Sequence, residues 1–136
     1  MRAPFQILVL PFRRTPTGEL EVAVFLRRDE RYWQGIAGGG EDAETPFEAA
    51  RREAYEEAGI PPECPYYPLE AVAMVTVGDR VVPEHCFAVD AGAHAIRLSD
   101  EHTDARWVSA DVAQTMLRWE SNRVALRELC ATRLRA

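Results

Sequence analysis

Lysine is absent from all 136 residues, so every one of the sixteen basic side chains is arginine, and 22 acidic residues leave a formal charge of −6. This balance argues against a long nucleic-acid backbone as partner and disfavours an RNA 5′ end as substrate, because that binding relies on clustered positive charge displacing counterions. Cysteine is scarce: Cys64, Cys86 and Cys130 are odd in number, far apart and without CxxC spacing. This excludes a disulfide framework and points to reduced thiols in a cytoplasmic protein. His85, His94 and His102 lack the i,i+4 spacing of a zinc-binding helix. The one early apolar run, Phe5 to Phe12, is too short to span a bilayer and carries no cleavage-site pattern, so no membrane partner is expected. No serine or cysteine sits in an elbow-type motif, which argues against a covalent mechanism. Repeats, linkers and low-complexity tracts are missing too. Residues 1–136 are therefore expected to form a single domain, burying about two-thirds of its unfolded surface.

What the chain does have is a concentrated run of carboxylates behind a glycine cluster. Glu53, Glu56 and Glu57 follow Gly38-Gly39-Gly40 at helical spacing and share one wedge of a helix, roughly 100° wide. Like charges at i,i+3 and i,i+4 destabilise a helix by a few tenths of a kcal/mol per pair, roughly. A hard divalent cation turns that repulsion into a binding site, since it takes oxygen ligands and is commonly shared with substrate phosphates. The helix is well specified: Thr45 is an N-cap, Pro46 suits the first helical position and Glu48 completes a capping box. Phe47, Ala50, Ala54 and Ala58 form an apolar stripe, Gly59 fits C′ and Pro61-Pro62 prevents continuation. A helix over about 46–58 is expected, with Arg52 holding Glu56 four residues on. The bland alternatives are a solvated acidic face and a plain glycine turn.

Gly38, Glu44, Arg52, Glu53, Ala54, Glu56, Glu57, Gly59 and Ile60 stand at the spacing of the Nudix box. The chain thus resembles the Nudix family, with Ala54 where relatives carry a bulkier aliphatic residue. The resemblance implies hydrolysis of a nucleoside diphosphate linked to another group, with Mg²⁺ or Mn²⁺. It implies metal ligands at Glu53, Glu56, Glu57 and the Gly38 carbonyl. Glu44, outside the helix, is read as a cap or as help to a second metal through water.

The remaining pattern suits an α/β fold. Gln6–Phe12 and Leu20–Leu26 are β-rich runs around a Thr-Pro-Thr-Gly turn. Leu69–Val77 and Val81–Asp90 flank Gly78-Asp79, a type I′ candidate, and Pro83 marks an edge or bulge. A short strand over Ala105–Val108 is expected. Ser109 is placed as the cap of a short helix through Leu117. Ser121 or Asn122 is placed as the cap of a last helix through Leu134, burying Val124, Leu126, Leu129, Cys130 and Leu134. This order resembles the Nudix α/β/α sandwich, a mixed β-sheet packed between helices.

The C-terminal half, from Ser99 through Trp107-Val108 to Trp119–Arg123, with Arg27-Arg28-Asp29 and Trp33-Gln34, resembles the bacterial dihydroneopterin triphosphate diphosphatase group, also described as dATP pyrophosphohydrolase. That likeness assigns Glu101 as a further metal ligand or as the base that deprotonates water. Ala37, where many relatives have Pro, and the short segment from Val77 to Glu84 depart from the group. The implied partner is a small nucleotide or pterin polyphosphate, with room for a homodimer. Arg27 is placed on a terminal phosphate and Trp33 either against a planar ring or in the core. Three readings stand: a triphosphate pyrophosphohydrolase, a hydrolase of another diphosphate (an oxidised dNTP, nucleotide sugar, dinucleotide polyphosphate or RNA 5′ end), and a non-catalytic sensing domain. Loss of box carboxylates would mark the third, and none is lost here.

Overall fold

The computed structural model describes residues 2–133. Strands β1 (Arg2–Arg14), β2 (Leu20–Arg27), β3 (Trp33–Gln34) and β4 (Ile36–Glu41) precede helix α1 (Pro46–Ala58). Strands β5 (Tyr66–Val77), β6 (Arg80–Asp90) and β7 (His102–Ser109) follow, then α2 (Ala110–Met116) and α3 (Glu120–Arg133). β1 is the hub of the mixed sheet. It runs parallel to β6 over Gln6–Phe12, and antiparallel to β4 at its start and to β2 at its end. β5 flanks β6 and β7 flanks β2.

Both faces of β1 are buried, as in a sheet covered on two sides. Ile7 and Val9 face α1 with Phe25, Ile36, Phe87 and the alanines of that helix. Leu8, Leu10 and Phe12 face the other way, onto Ala113, Leu117, Ala125, Leu126 and Leu129 of the C-terminal segment. This is the expected α/β/α sandwich with its mixed sheet between helices. Among the described residues, no helix is long and apolar enough to cross a membrane.

Helix α1 has the expected bounds, and its capping box is formed by Thr45 and Glu48. Gly59 closes it at φ 70°, donating to the Ala54 and Tyr55 carbonyls. Phe47, however, is 40% exposed, and Ala49 takes its place in the buried stripe. The N1-side ring leans instead on Tyr66 and Phe87 at the rim of the core.

Other expectations need correction. Gly38–Gly40 is not a turn but part of β4, with Gly38 opposite Ile7 and Gly39 opposite Gln6. Glycine is required there because α1 and Phe5 press on the strand: a Cβ on Gly40 would clash with Cζ and Cε1 of the Phe5 ring. The Gly78-Asp79 turn has positive φ only at Gly78 (63°), the pattern of type II′, which needs glycine at its first central position. Pro83 lies just before the parallel pairing with β1 begins at Glu84, so its missing N–H costs no ladder bond on that side. The bulge sits in β5, between Pro68 and Val72, where the Glu128 carboxylate accepts from Glu70 N and Ala71 N. α3 begins at Glu120, placing Ser121 and Asn122 inside its first turn, and Val124 is exposed while Ala125 is buried. Leu134 lies outside the described residues.

Gly40→Ala is expected to cost about 1–3 kcal/mol through overpacking against Phe5. A lowered urea midpoint with an unchanged m-value checks it; an unshifted midpoint would contradict the close approach.

Candidate active site

Arg52 organises the polar face of α1. Its Nε and Nη2 donate to the two Glu44 carboxylate oxygens at 2.7 and 3.0 Å, a bidentate pair. Nη2 also donates to Gly39 O at 3.0 Å, and Nη1 to Glu53 Oε1 at 2.9 Å. Glu56, the partner expected from spacing, is more distant, at 3.3 and 3.4 Å from Nη1. The Arg52 hydrogen bond holds the Glu44 carboxyl below its ordinary pKa, and Glu44 in turn raises that of Arg52. Glu44 also accepts from Glu41 N at 2.7 Å, so it stiffens the turn between β4 and α1.

The three box carboxylates are graded in burial. Glu56 is exposed, Glu53 is half-buried, and Glu57 is only 3% exposed with both carboxylate oxygens unpaired. Burial first, then Glu53 and Glu101, push the Glu57 carboxyl far above its usual range. Glu101, although exposed and about a third of the chain away, is thereby placed against Glu57; its backbone is fixed by Arg28 N donating to its carbonyl at 2.9 Å. Gly38 keeps the floor of this cluster thin: a Cβ there would lie 2.5 Å from Glu53 Cδ.

His102 was not singled out by its spacing. It is 1% exposed, its ring nitrogens are unpaired, and Nδ1 lies 3.8 Å from Glu57 Oε1. Desolvation lowers its pKa, so it stands neutral beside Glu57. Its position opposite Arg27 in the β2–β7 ladder depends on long-range pairing that no local motif encodes.

Among the described residues, no three acidic, histidine or cysteine side chains already form a cation cage. Glu53 and Glu56 are turned toward Arg52 instead. The donor chemistry nonetheless fits a hard divalent ion: all the donors are oxygens, two of them buried and unpaired on Glu57. Glu53, Glu56, Glu57, Glu101 and the Gly38 carbonyl are the residues able to hold it.

On the α3 side of the sheet lies a cavity of about 1100 Å³, lined by Arg27, Tyr32, Gln34, Glu84, Trp119 and residues 71–77 of β5, among others. Arg27 closes β2 as expected, with Nε buried and unpaired. Trp33 does not line this cavity; it packs against the α3-side core, with the Arg106 guanidinium 5.2 Å from its ring centroid. Tyr32 and Trp119 are the aromatic pair at the cavity, edge to face at 5.4 Å. Glu84 had a readable signal: Val82, Glu84, Cys86 and Ala88 alternate along β6, and all are buried.

The family model described as NUDIX domain matches residues 7–129. A provisionally named NUDIX hydrolase from Listeria monocytogenes is 39% identical and superposes with a TM-score of 0.89, over 98% of this chain and 95% of that one. The dihydroneopterin triphosphate pyrophosphohydrolase of E. coli, at 23% identity, gives 0.81 over 99% and 98%. An Ap4A hydrolase of C. elegans, at 19% identity, gives 0.83 over 95% and 96%. These last two show likeness of fold alone. A Myxococcus xanthus protein called octanoyltransferase is 32% identical over 120 residues, 83% of this chain; the chain spans only 33% of its length.

The raised Glu57 pKa has a sign that can be tested without substrate. A carboxyl whose folded pKa lies above its unfolded value contributes stability that is complete below about pH 4.3 and is lost as pH rises. Metal-free Glu57→Gln is therefore expected to melt above the wild type at pH 7.5, by about 1 kcal/mol or more, and with it at pH 4. Equal melting at both pH values would contradict the buried, unpaired carboxylate.

Proposed function

The chain belongs to the Nudix family of hydrolases, and on that premise we propose that it cleaves a (deoxy)nucleoside or dihydroneopterin triphosphate to the monophosphate and pyrophosphate, using Mg²⁺ or Mn²⁺. The observation that carries this reading is Glu57, a buried carboxylate with two unpaired oxygens against Glu53 and Glu101. That cluster is costly alone and suited to a divalent cation with its phosphate ligands. A bound cation would neutralise the charge that builds on the diphosphate oxygens.

The chain's own groups divide the other tasks. Arg52 is a positioning residue: its guanidinium joins Glu44, Gly39 O and Glu53, fixing the carboxylate face of α1 relative to β4. Glu53 or Glu101 takes the proton of the attacking water. Water oxygen bonds to phosphorus, the phosphoanhydride P–O bond breaks, and pyrophosphate leaves with the electron pair. Arg27, unpaired at Nε and close enough to His102 to depress its pKa, would hold a phosphate.

The dihydroneopterin triphosphate preference is supported by the tail from Ser99 to Arg123, whose Glu101 meets Glu57 and whose Trp119 lines the cavity. Hydrolysis of a dinucleotide polyphosphate is the second reading, the activity named for an Ap4A hydrolase that shares this fold. We read residues 1–136 as one Nudix domain, and its three unpaired cysteines support reading it as a cytoplasmic protein.

Pyrophosphate and phosphate release, followed with Mg²⁺ across dihydroneopterin triphosphate, dNTPs, NTPs, ADP-ribose and diadenosine polyphosphates, tests the assignment. Pyrophosphate from the triphosphates is expected; turnover confined to the dinucleotides would move the assignment to the second reading, and none would favour a sensing domain. Glu57→Gln is expected to fold and to lose turnover by about 100-fold or more; unchanged turnover would remove the carboxylate site from the mechanism.

A further inference from the structure

The α3 side of the sheet carries buried polar groups that the phosphate chemistry does not use. Glu84 on β6 and Gln34 on β3 are 7% and 4% exposed, and both line the large cavity. Glu84 Oε1 and Gln34 Nε2 have no partner within the protein. An unmet buried acceptor and an unmet buried donor on two residues that line one cavity are a standing cost, which a complementary ligand reached by a side-chain rotation removes.

A chain of polar contacts runs between them. Ser121 lies close enough to Glu84 to lower its carboxyl pKa, Asn122 Nδ2 donates to Ser121 Oγ at 3.2 Å, and Asn122 Oδ1 accepts from Gly35 N at 2.8 Å. Asn122 is itself 3% exposed, so the first turn of α3 pins this wall. Gln6, directly across the β1–β6 ladder from Glu84, lines the cavity as well. Tyr32 and Trp119 supply ring faces.

We propose that Glu84 reads a heterocycle edge bearing two adjacent N–H donors, the ring-amide N–H and exocyclic amino group shared by guanine and pterins, with Gln34 on the neighbouring carbonyl. This rests on the reading above that the cavity holds the organic part of a triphosphate. An ionised carboxylate only accepts, and its two oxygens match two parallel N–H groups. Adenine offers one amino group beside a bare ring nitrogen, so one carboxylate oxygen would face a lone pair. Gln34 can turn its amide to donate or accept, and so accommodates either edge. Glu84 decides. Burial raises the Glu84 pKa and Ser121 opposes that rise; a ligand with two donors favours the ionised form further.

Calorimetric titration of the metal-free protein with guanosine monophosphate, neopterin and adenosine monophosphate tests the proposal without turnover. The wild type is expected to bind guanosine monophosphate or neopterin at least about tenfold more tightly than adenosine monophosphate, and the tighter of the two identifies the source of the edge. Glu84→Gln, whose circular dichroism should be unchanged, is expected to erase that preference. Equal affinities, no binding of guanosine monophosphate or neopterin, or a preference that survives in a folded Glu84→Gln would each overturn the proposal. Wild-type selectivity stands alone if the variant fails to fold. Triphosphate hydrolysis without base preference would remove only this inference, whereas base preference without hydrolysis would remove only the assigned reaction.

Discussion

One guanidinium holds the candidate site together. Arg52 bonds at once to Glu44 in the turn before α1, to the Gly39 carbonyl of β4 and to Glu53 on its own helix. A fixed planar donor set lets one arginine span these segments, which a lysine ammonium does with less directional control. Because β4 pairs with β1, and β1 with β6, the clamp also fixes α1 relative to the centre of the sheet. Glu57 is carried inward on the next turn, against His102 and Glu101 from the far end of the chain.

Much of this was legible because it is local. The capping box, the N1 proline and the αL glycine define α1 within a short stretch, and the Nudix box lies in the same stretch. The paired strands flanking Gly78-Asp79 were equally visible from their composition. What escaped depends on contacts between distant segments. The glycines of β4 resemble a turn until Phe5 and Glu53 are seen pressing on them. His102 looks like any surface histidine until β7 pairs with β2. Asn122 looks like a helix cap, yet its side chain is spent on Gly35, a residue on another segment.

The two faces of the sheet divide the chemistry. The α1 face gathers carboxylate oxygens, two of them buried and unpaired on Glu57, while the α3 face offers a cavity lined by the buried polar residues Glu84 and Gln34. Arg27 connects them: it lines the cavity and acts on His102 beside Glu57.

The most direct measurement is Mn²⁺ binding, followed by loss of the free-ion electron paramagnetic resonance signal on titration of the protein. The account predicts a saturable site in the wild type that weakens by about tenfold or more in Glu57→Gln. Identical binding curves for the two proteins would contradict the assignment of the α1 carboxylates as the metal site.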